Sequence, residues 1–270
     1  MTEQSFKDLE RQGWRERAHV YMNLTGPVTT QGMPALLDSV GTHAGIRLLD
    51  VCCGPGYGAG AAAALGADAT GIDFAPEMVE VAREEFPNAT FTLGDAEALV
   101  AEDASYDAVI CPFGVFHLAD PEAAFAEAYR VLKPGGRYGF TTWYGPNKSP
   151  LFAIILQAIS EHGTMEVGLP PSPPPFRFAA SEACYQALPS VGFVVIERRE
   201  LPIELRVAAG TFMDFLRRFG VRIVMVLERQ SEEAKVAIDA AIEQNLQRYV
   251  HDGTIVVPIP AVLVSAQKPT

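Results

Sequence analysis

The chain has 270 residues, with 33 Asp and Glu against 21 Lys and Arg, for a formal charge of −12. That balance argues against nucleic acid as the main partner, because phosphate-backbone binding draws its affinity from Lys and Arg clusters that release counterions. Hydrophobic residues at 49 % and charged residues at 20 % argue against a disordered chain and predict a sizeable core.

The polar start, Met1 to Arg17, is unlike a signal peptide, and no apolar run approaches the roughly 20 residues of a membrane span. A cytoplasmic protein with no membrane span is expected. Cys52, Cys53, Cys111 and Cys184 lack CxxC spacing and sit in apolar or glycine-rich contexts, which predicts reduced core thiols and no metal site.

In chain order, Ile46–Val51 has the pattern of a buried strand, a glycine-rich turn follows, and Ala59–Leu65 predicts an Ala-rich helix stopped by Gly66. A second strand is expected over Ala69–Phe74, then a helix opened by Pro76 and running to Arg83, and a short third strand over Ala89–Leu93. Tyr106–Cys111 predicts a fourth strand, Asp120 caps a helix through Leu132, and Gly136–Trp143 predicts a fifth strand. This alternation implies an α/β fold with a doubly wound, mostly parallel sheet. Beyond it, a helix is expected over Ser149–His162 and a proline-stiffened loop over Leu169–Phe178. Strands return at Gly192–Leu205 and Thr254–Ala266, separated by helices over Thr211–Phe219 and Ser231–Tyr249.

The turn Gly54-Pro-Gly56-Tyr-Gly58-Ala59 satisfies a loose GxGxxG/A pattern shared by dinucleotide and other adenosine cofactors. Glycine lets the backbone approach a ligand, and the helix N-terminus offers unpaired N–H groups. A plain tight strand-to-helix turn is the alternative. Two carboxylates discriminate. Asp50, ending the first strand, would repel a pyrophosphate but attract a cationic cofactor, and Asp73, ending the second, can accept from both ribose hydroxyls.

Leu93-Gly94-Asp95-Ala96, Cys111-Pro-Phe-Gly-Val-Phe-His117 and Leu132-Lys-Pro-Gly-Gly136 complete the series at the next strand ends. With these motifs the sequence resembles the class I S-adenosylmethionine (SAM)-dependent methyltransferases. It is most similar to the subgroup that includes ubiquinone and menaquinone biosynthesis enzymes and many secondary-metabolite methyltransferases. The resemblance is close over residues 46–145 and looser to the end. It implies a seven-stranded sheet whose last strand is antiparallel, with helical cap insertions. One compact domain is expected, with an N-terminal helical lid over 1–45, the SAM-binding core over 46–145, a cap insertion over 146–191, and the remaining strands over 192–270 with a second insertion at about 207–250.

The same resemblance implies that the turn from Asp50 through Cys52, Gly54 and Gly56 takes the methionine side of SAM, with Asp73 on the ribose and Phe74 and Met78 beside the adenine or ribose. Asp95 and Ala96 would face the adenine amino group, Cys111 would offer its carbonyl to the methionine ammonium, and Tyr21 would reach the cofactor from the lid. The commonest family turn has glycine where this chain has Cys52. Phe113, Phe116, Trp143 and Tyr144, with Phe176 and Phe215 from the cap, are candidates to line a pocket for a small apolar or aromatic methyl acceptor. His117 is the candidate base or orienting acceptor, since an imidazole titrates near neutrality. Two readings from other classes stand beside this one: a non-catalytic SAM-binding protein, and an NAD-dependent oxidoreductase, which would need a hydride-transfer site.

Overall fold

The computed structural model describes residues 5–270, so the first four residues of the expected 1–45 lid lie outside the described residues. The elements run α1 (Phe6–Leu24), α2 (Gly26–Thr29), α3 (Met33–Ser39), β1 (Arg47–Val51), α4 (Tyr57–Ala64), β2 (Asp68–Asp73), α5 (Pro76–Glu85), β3 (Thr90–Leu93), β4 (Tyr106–Pro112), α6 (Pro121–Val131) and β5 (Leu132–Trp143). They continue with α7 (Pro150–His162), α8 (Ser181–Ser190), β6 (Val194–Leu201), β7 (Glu204–Ala208), α9 (Phe212–Phe219), α10 (Arg222–Glu228), α11 (Glu232–Leu246), β8 (Val250–His251), β9 (Thr254–Pro258) and β10 (Ala261–Gln267).

Seven strands form one sheet in the order β3-β2-β1-β4-β5-β10-β6, with β10 antiparallel to both neighbours and the pairs among the first five strands parallel. Successive residues point to opposite faces, as strand geometry requires. Leu48 and Ile110 pack into one apolar layer with Leu36 of α3, Ala59 of α4 and Val79 of α5, while Leu49, Val109 and Cys111 pack into another with Phe125 of α6 and Leu188 of α8. Strand order reverses between β1 and β4, the place where doubly wound sheets open a crevice at the strands' carboxyl ends. In-register pairing sets Asp50 beside Ile110, and Asp73 beside Leu93, so the motif residues meet along one edge.

Three expectations are corrected. The strands expected over Gly192–Leu205 and Thr254–Ala266 each break at proline, into β6 and β7 around Pro202 and into β9 and β10 around Pro258 and Pro260. Proline cannot donate to a ladder and fixes its own φ. Both strands therefore bend together out of the main sheet, and β7, β9 and β8 form a second, three-stranded sheet. The helix expected through Leu132 ends at Val131, and β5 begins at Leu132 with an irregular register before Arg137. Finally, α10 lies between the two helices expected in the second insertion.

The N-terminal helix starts at Ser5, whose hydroxyl accepts from the Asp8 N–H, and lies along α5 and α9. Gly13 is at a close approach, since a Cβ there would stand 2.3 Å from a Val221 methyl carbon. Within the 146–191 stretch, α8 lies on the sheet, with Cys184 and Leu188 packed beside Phe178 and Phe193. The Gln230 side chain, accepting from the Thr164 N–H at 3.0 Å and donating to the Thr164 carbonyl at 2.7 Å, ties the loop after α7 to the end of α10.

Candidate active site

The turn after β1 begins with Cys52 at φ 55, a left-handed conformation that costs a non-glycine residue roughly 1–2 kcal/mol. This is the physical reason glycine is common at that place. The Cys52 thiol is held neutral by its hydrogen bond with Cys111 and by burial, both of which push its pKa up. Farther on, Gly54 and Gly56 have φ of 53 and 93, and a Cβ on Gly56 would collide with the Phe91 ring. The turn delivers Tyr57 and Gly58 to the N-terminus of α4.

Two carboxylates hold this turn. Asp73, 6 % exposed, accepts from the Gly54 N–H at 2.8 Å through one oxygen and from the Ala75 N–H at 2.9 Å through the other. Burial pushes its pKa up to about 6 against the opposing pull of those amides. Asp50 is wholly buried and accepts from the Ala59 N–H at 2.8 Å, while its Oδ1 has no partner among the described residues. Burial pushes the Asp50 pKa up to about 8. An unpaired buried carboxylate oxygen is costly by itself and fits a site that receives a cation.

A narrow cleft of about 80 Å³ lies over the turn. Its walls include Tyr21, Cys52, Gly54, Asp73, Phe74, Met78, Asp95 and Ala96 of the expected cofactor residues. Asp50, Gly56 and Cys111 are not on those walls: Asp50 sits beneath the start of α4, where a Cβ on Gly58 would stand 2.4 Å from its Oδ2, Gly56 packs against Phe91, and the Cys111 side chain lies in the core between the sheet and α6.

A second cavity of about 420 Å³, within the size range of small-molecule sites, adjoins the first. The two share Trp14, Tyr21, Thr29, Phe113 and His117. Phe116, Trp143 and Phe176 line this chamber as expected. Phe113 is also at a left-handed φ of 55 and stacks on Trp143 at 4.0 Å, while its N–H donates to Thr141 at 3.0 Å. Tyr144 and Phe215 are not on its wall. Tyr144 is half-buried against the core under the Lys148 ammonium, and Phe215 is buried between Phe212 and Phe219.

Sequence reasoning missed the charged groups that the N-terminal helix brings to the site. Lys7 reaches across the cleft to Asp95 at 2.5 Å and Glu97 at 2.8 Å, Arg15 pairs with Glu77 at 2.9 Å, and Glu10 meets His117 Nδ1 at 2.7 Å. Arg222 of α10 joins the chamber wall, its guanidinium over the Phe6 ring and bonded to the Pro170 carbonyl. One signal was available: Phe6, Glu10, Trp14 and Tyr21 follow helical spacing, so Glu10 shares the face of three aromatics.

A methyltransferase-domain family model matches residues 49–140. Over 122 residues the chain is 37 % identical to a demethylmenaquinone methyltransferase of Renibacterium salmoninarum, covering 45 % of this chain and 52 % of that one. Over 132 residues it is 41 % identical to a ubiquinone biosynthesis O-methyltransferase of Xanthomonas oryzae, covering 46 % and 54 %. The chain thus spans about half the length of the curated relatives it matches. In fold it is similar to a phosphoethanolamine N-methyltransferase of Haemonchus contortus solved with SAM, with a TM-score of 0.59 at 22 % identity over 100 % of this chain and 61 % of that one. Residues 49–140 thus match a methyltransferase domain, and sheet order and strand-end motifs make the chain similar in fold to the class I SAM-dependent methyltransferases.

Proposed function

We propose that the chain transfers a methyl group from SAM to a small aromatic acceptor of quinone type held in the chamber beside the cofactor cleft. The observation that carries this reading is the junction of the two cavities, where His117, Phe113, Trp14, Tyr21 and Thr29 belong to both walls. The names of the relatives support the acceptor class, and the aromatic wall of the chamber suits a flat apolar ring.

When bound, SAM supplies an electrophilic methyl carbon on a sulfonium. Asp73 would take the ribose hydroxyls with the lone pairs its backbone partners leave free, Asp95 and Ala96 the adenine side, and the Cys52–Gly54 turn the methionine side. Asp50, kept protonated by burial in the apoprotein, would lose its proton as the cationic end arrives and balance that charge from beneath the turn. In-line displacement gains most from alignment and from exclusion of water. Phe116, Trp143 and Phe176 would align the acceptor, and α1 with the segments 146–191 and 207–250 would cover it. His117, on the wall of both cavities, would accept a hydrogen bond from the acceptor. A cytoplasmic site of action, a small-molecule partner and no role in nucleic-acid binding belong to the same proposal.

Calorimetry tests it. S-adenosylhomocysteine (SAH) should bind with micromolar-range affinity, about −8 kcal/mol. Asp73→Ala should weaken it at least about tenfold, since hydrogen bonds to a charged group contribute roughly 1.5–3 kcal/mol. Heat from NADH with none from SAH would overturn the reading.

A further inference from the structure

Beside the Tyr21–Thr29 hydrogen bond, the cavity junction holds a charged contact that cofactor binding does not require, between Glu10 and His117. Glu10 is buried, with its side chain 3 % exposed, on the α1 face that also carries Phe6, Trp14 and Tyr21. Burying a carboxylate costs several kcal/mol before its partner is counted, and an apolar residue would pack that face without the cost. His117 ends a 3₁₀ turn after β4, its ring edge-on to Trp14 at 4.8 Å and beside Phe116 at 4.2 Å. With Nδ1 given to Glu10, Nε2 has no partner among the described residues, and the ring borders both cavities. The other charged groups facing this pair are Arg222 from α10, Asp73 from β2, and Lys7 with its partners Asp95 and Glu97.

We propose that Glu10 is a positioning residue for His117, and that the pair commits the site to a hydroxyl acceptor on an aromatic ring. This rests on the methyltransferase reading above. A carboxylate on Nδ1 selects the Nδ1–H tautomer and leaves the Nε2 lone pair directed away from Glu10. As the bond between the acceptor oxygen and the methyl carbon forms and the sulfur–methyl bond breaks, the hydroxyl proton passes to Nε2. The sulfur leaves as a neutral thioether, Glu10 stabilises the imidazolium, and the proton is later released to water. An acceptor carbon or thiolate with no proton to lose at this step would have no use for the pair. Glu10 belongs to α1, so the base is oriented only while that helix lies across the cleft.

Long-range proton–nitrogen spectra of the SAH complex test the tautomer, with His117→Gln assigning the ring. The wild-type neutral ring should be Nδ1–H, Glu10→Gln should keep that tautomer through its amide oxygen, and Glu10→Ala should move it towards Nε2–H. With 2,3-dihydroxynaphthalene and 2,3-diaminonaphthalene as matched probes, labelled methyl from SAM should go to the diol. Glu10→Ala should lower kcat at least about 10²-fold with KM within about threefold, and Glu10→Gln should recover part of the loss. An Nε2–H ring in the wild type, no methylation of the diol, or an unchanged kcat in Glu10→Ala overturns the proposal. A wild type that binds no SAH overturns the methyltransferase reading itself, which separates the two failures.

Discussion

Asp50 and Asp73 show at the residue scale how a ligand site is held at a cost to stability. Both pKa values are raised by burial, to about 8 and about 6 from an ordinary 3.8. The folded protein therefore keeps protons that the unfolded chain releases, and stability falls as pH rises from about 4 to about 8, then levels off. Asp50→Asn keeps an acceptor for the Ala59 N–H and removes the buried charge. Its apoprotein should melt higher than wild type at pH 8, by about 2–4 °C for each kcal/mol regained, with a flatter dependence of Tm on pH between 6 and 8. The same variant should bind SAH at least about tenfold more weakly. Equal Tm curves for the two proteins would show that Asp50 is not the source of the pH dependence. The places of these two carboxylates were legible because Asp50 ends the strand before the glycine turn and Asp73 ends the next strand, about 20 residues beyond Gly54. Their burial, and the left-handed backbone at Cys52 and Phe113, came from the packing around them.

At the scale of elements, α1 was expected as a lid, and what the sequence left open is the set of groups it meets there. It crosses the cleft on four polar contacts, two from Lys7 and one each from Glu10 and Arg15. Lys7 holds Asp95, the carboxylate expected to meet the adenine side of the cofactor, so the latch and the ligand compete for one group. Half-exposed ion pairs contribute about 0.2–1 kcal/mol and are screened by salt. Lys7→Met should therefore speed SAH association by about two- to fivefold at low salt, with wild type and variant converging at high salt in stopped-flow measurements. A slower variant would mean that Lys7 guides the ligand in.

The whole molecule joins two sheets and a set of helices around the carboxyl edge of β1 to β5. With α1 across it, the cleft of about 80 Å³ is smaller than the roughly 300 Å³ at which ligand pockets begin. We therefore expect cofactor entry to need α1 to lift and then return. Hydrogen exchange in residues 6–30 and 144–178 should slow when SAH is added, because a reactive sulfonium must be kept from water. Equal exchange with and without SAH would show that the cover neither opens nor tightens.

The sequence by itself determined the order of strands and helices through Trp143, the glycine turn and the two strand-end carboxylates. Each of these is written in a local period or a short motif that neighbouring residues satisfy among themselves. Tertiary packing settled that the chain bends at Pro202, Pro258 and Pro260 to carry β7 and β9 into a second sheet, and that Tyr144 and Phe215 stay off the chamber wall. It alone brought Glu10 to His117, 107 positions along the chain. A side chain's local pattern says which face of its own element it occupies, but the group it meets there depends on how distant elements pack, and that packing is a property of the whole fold.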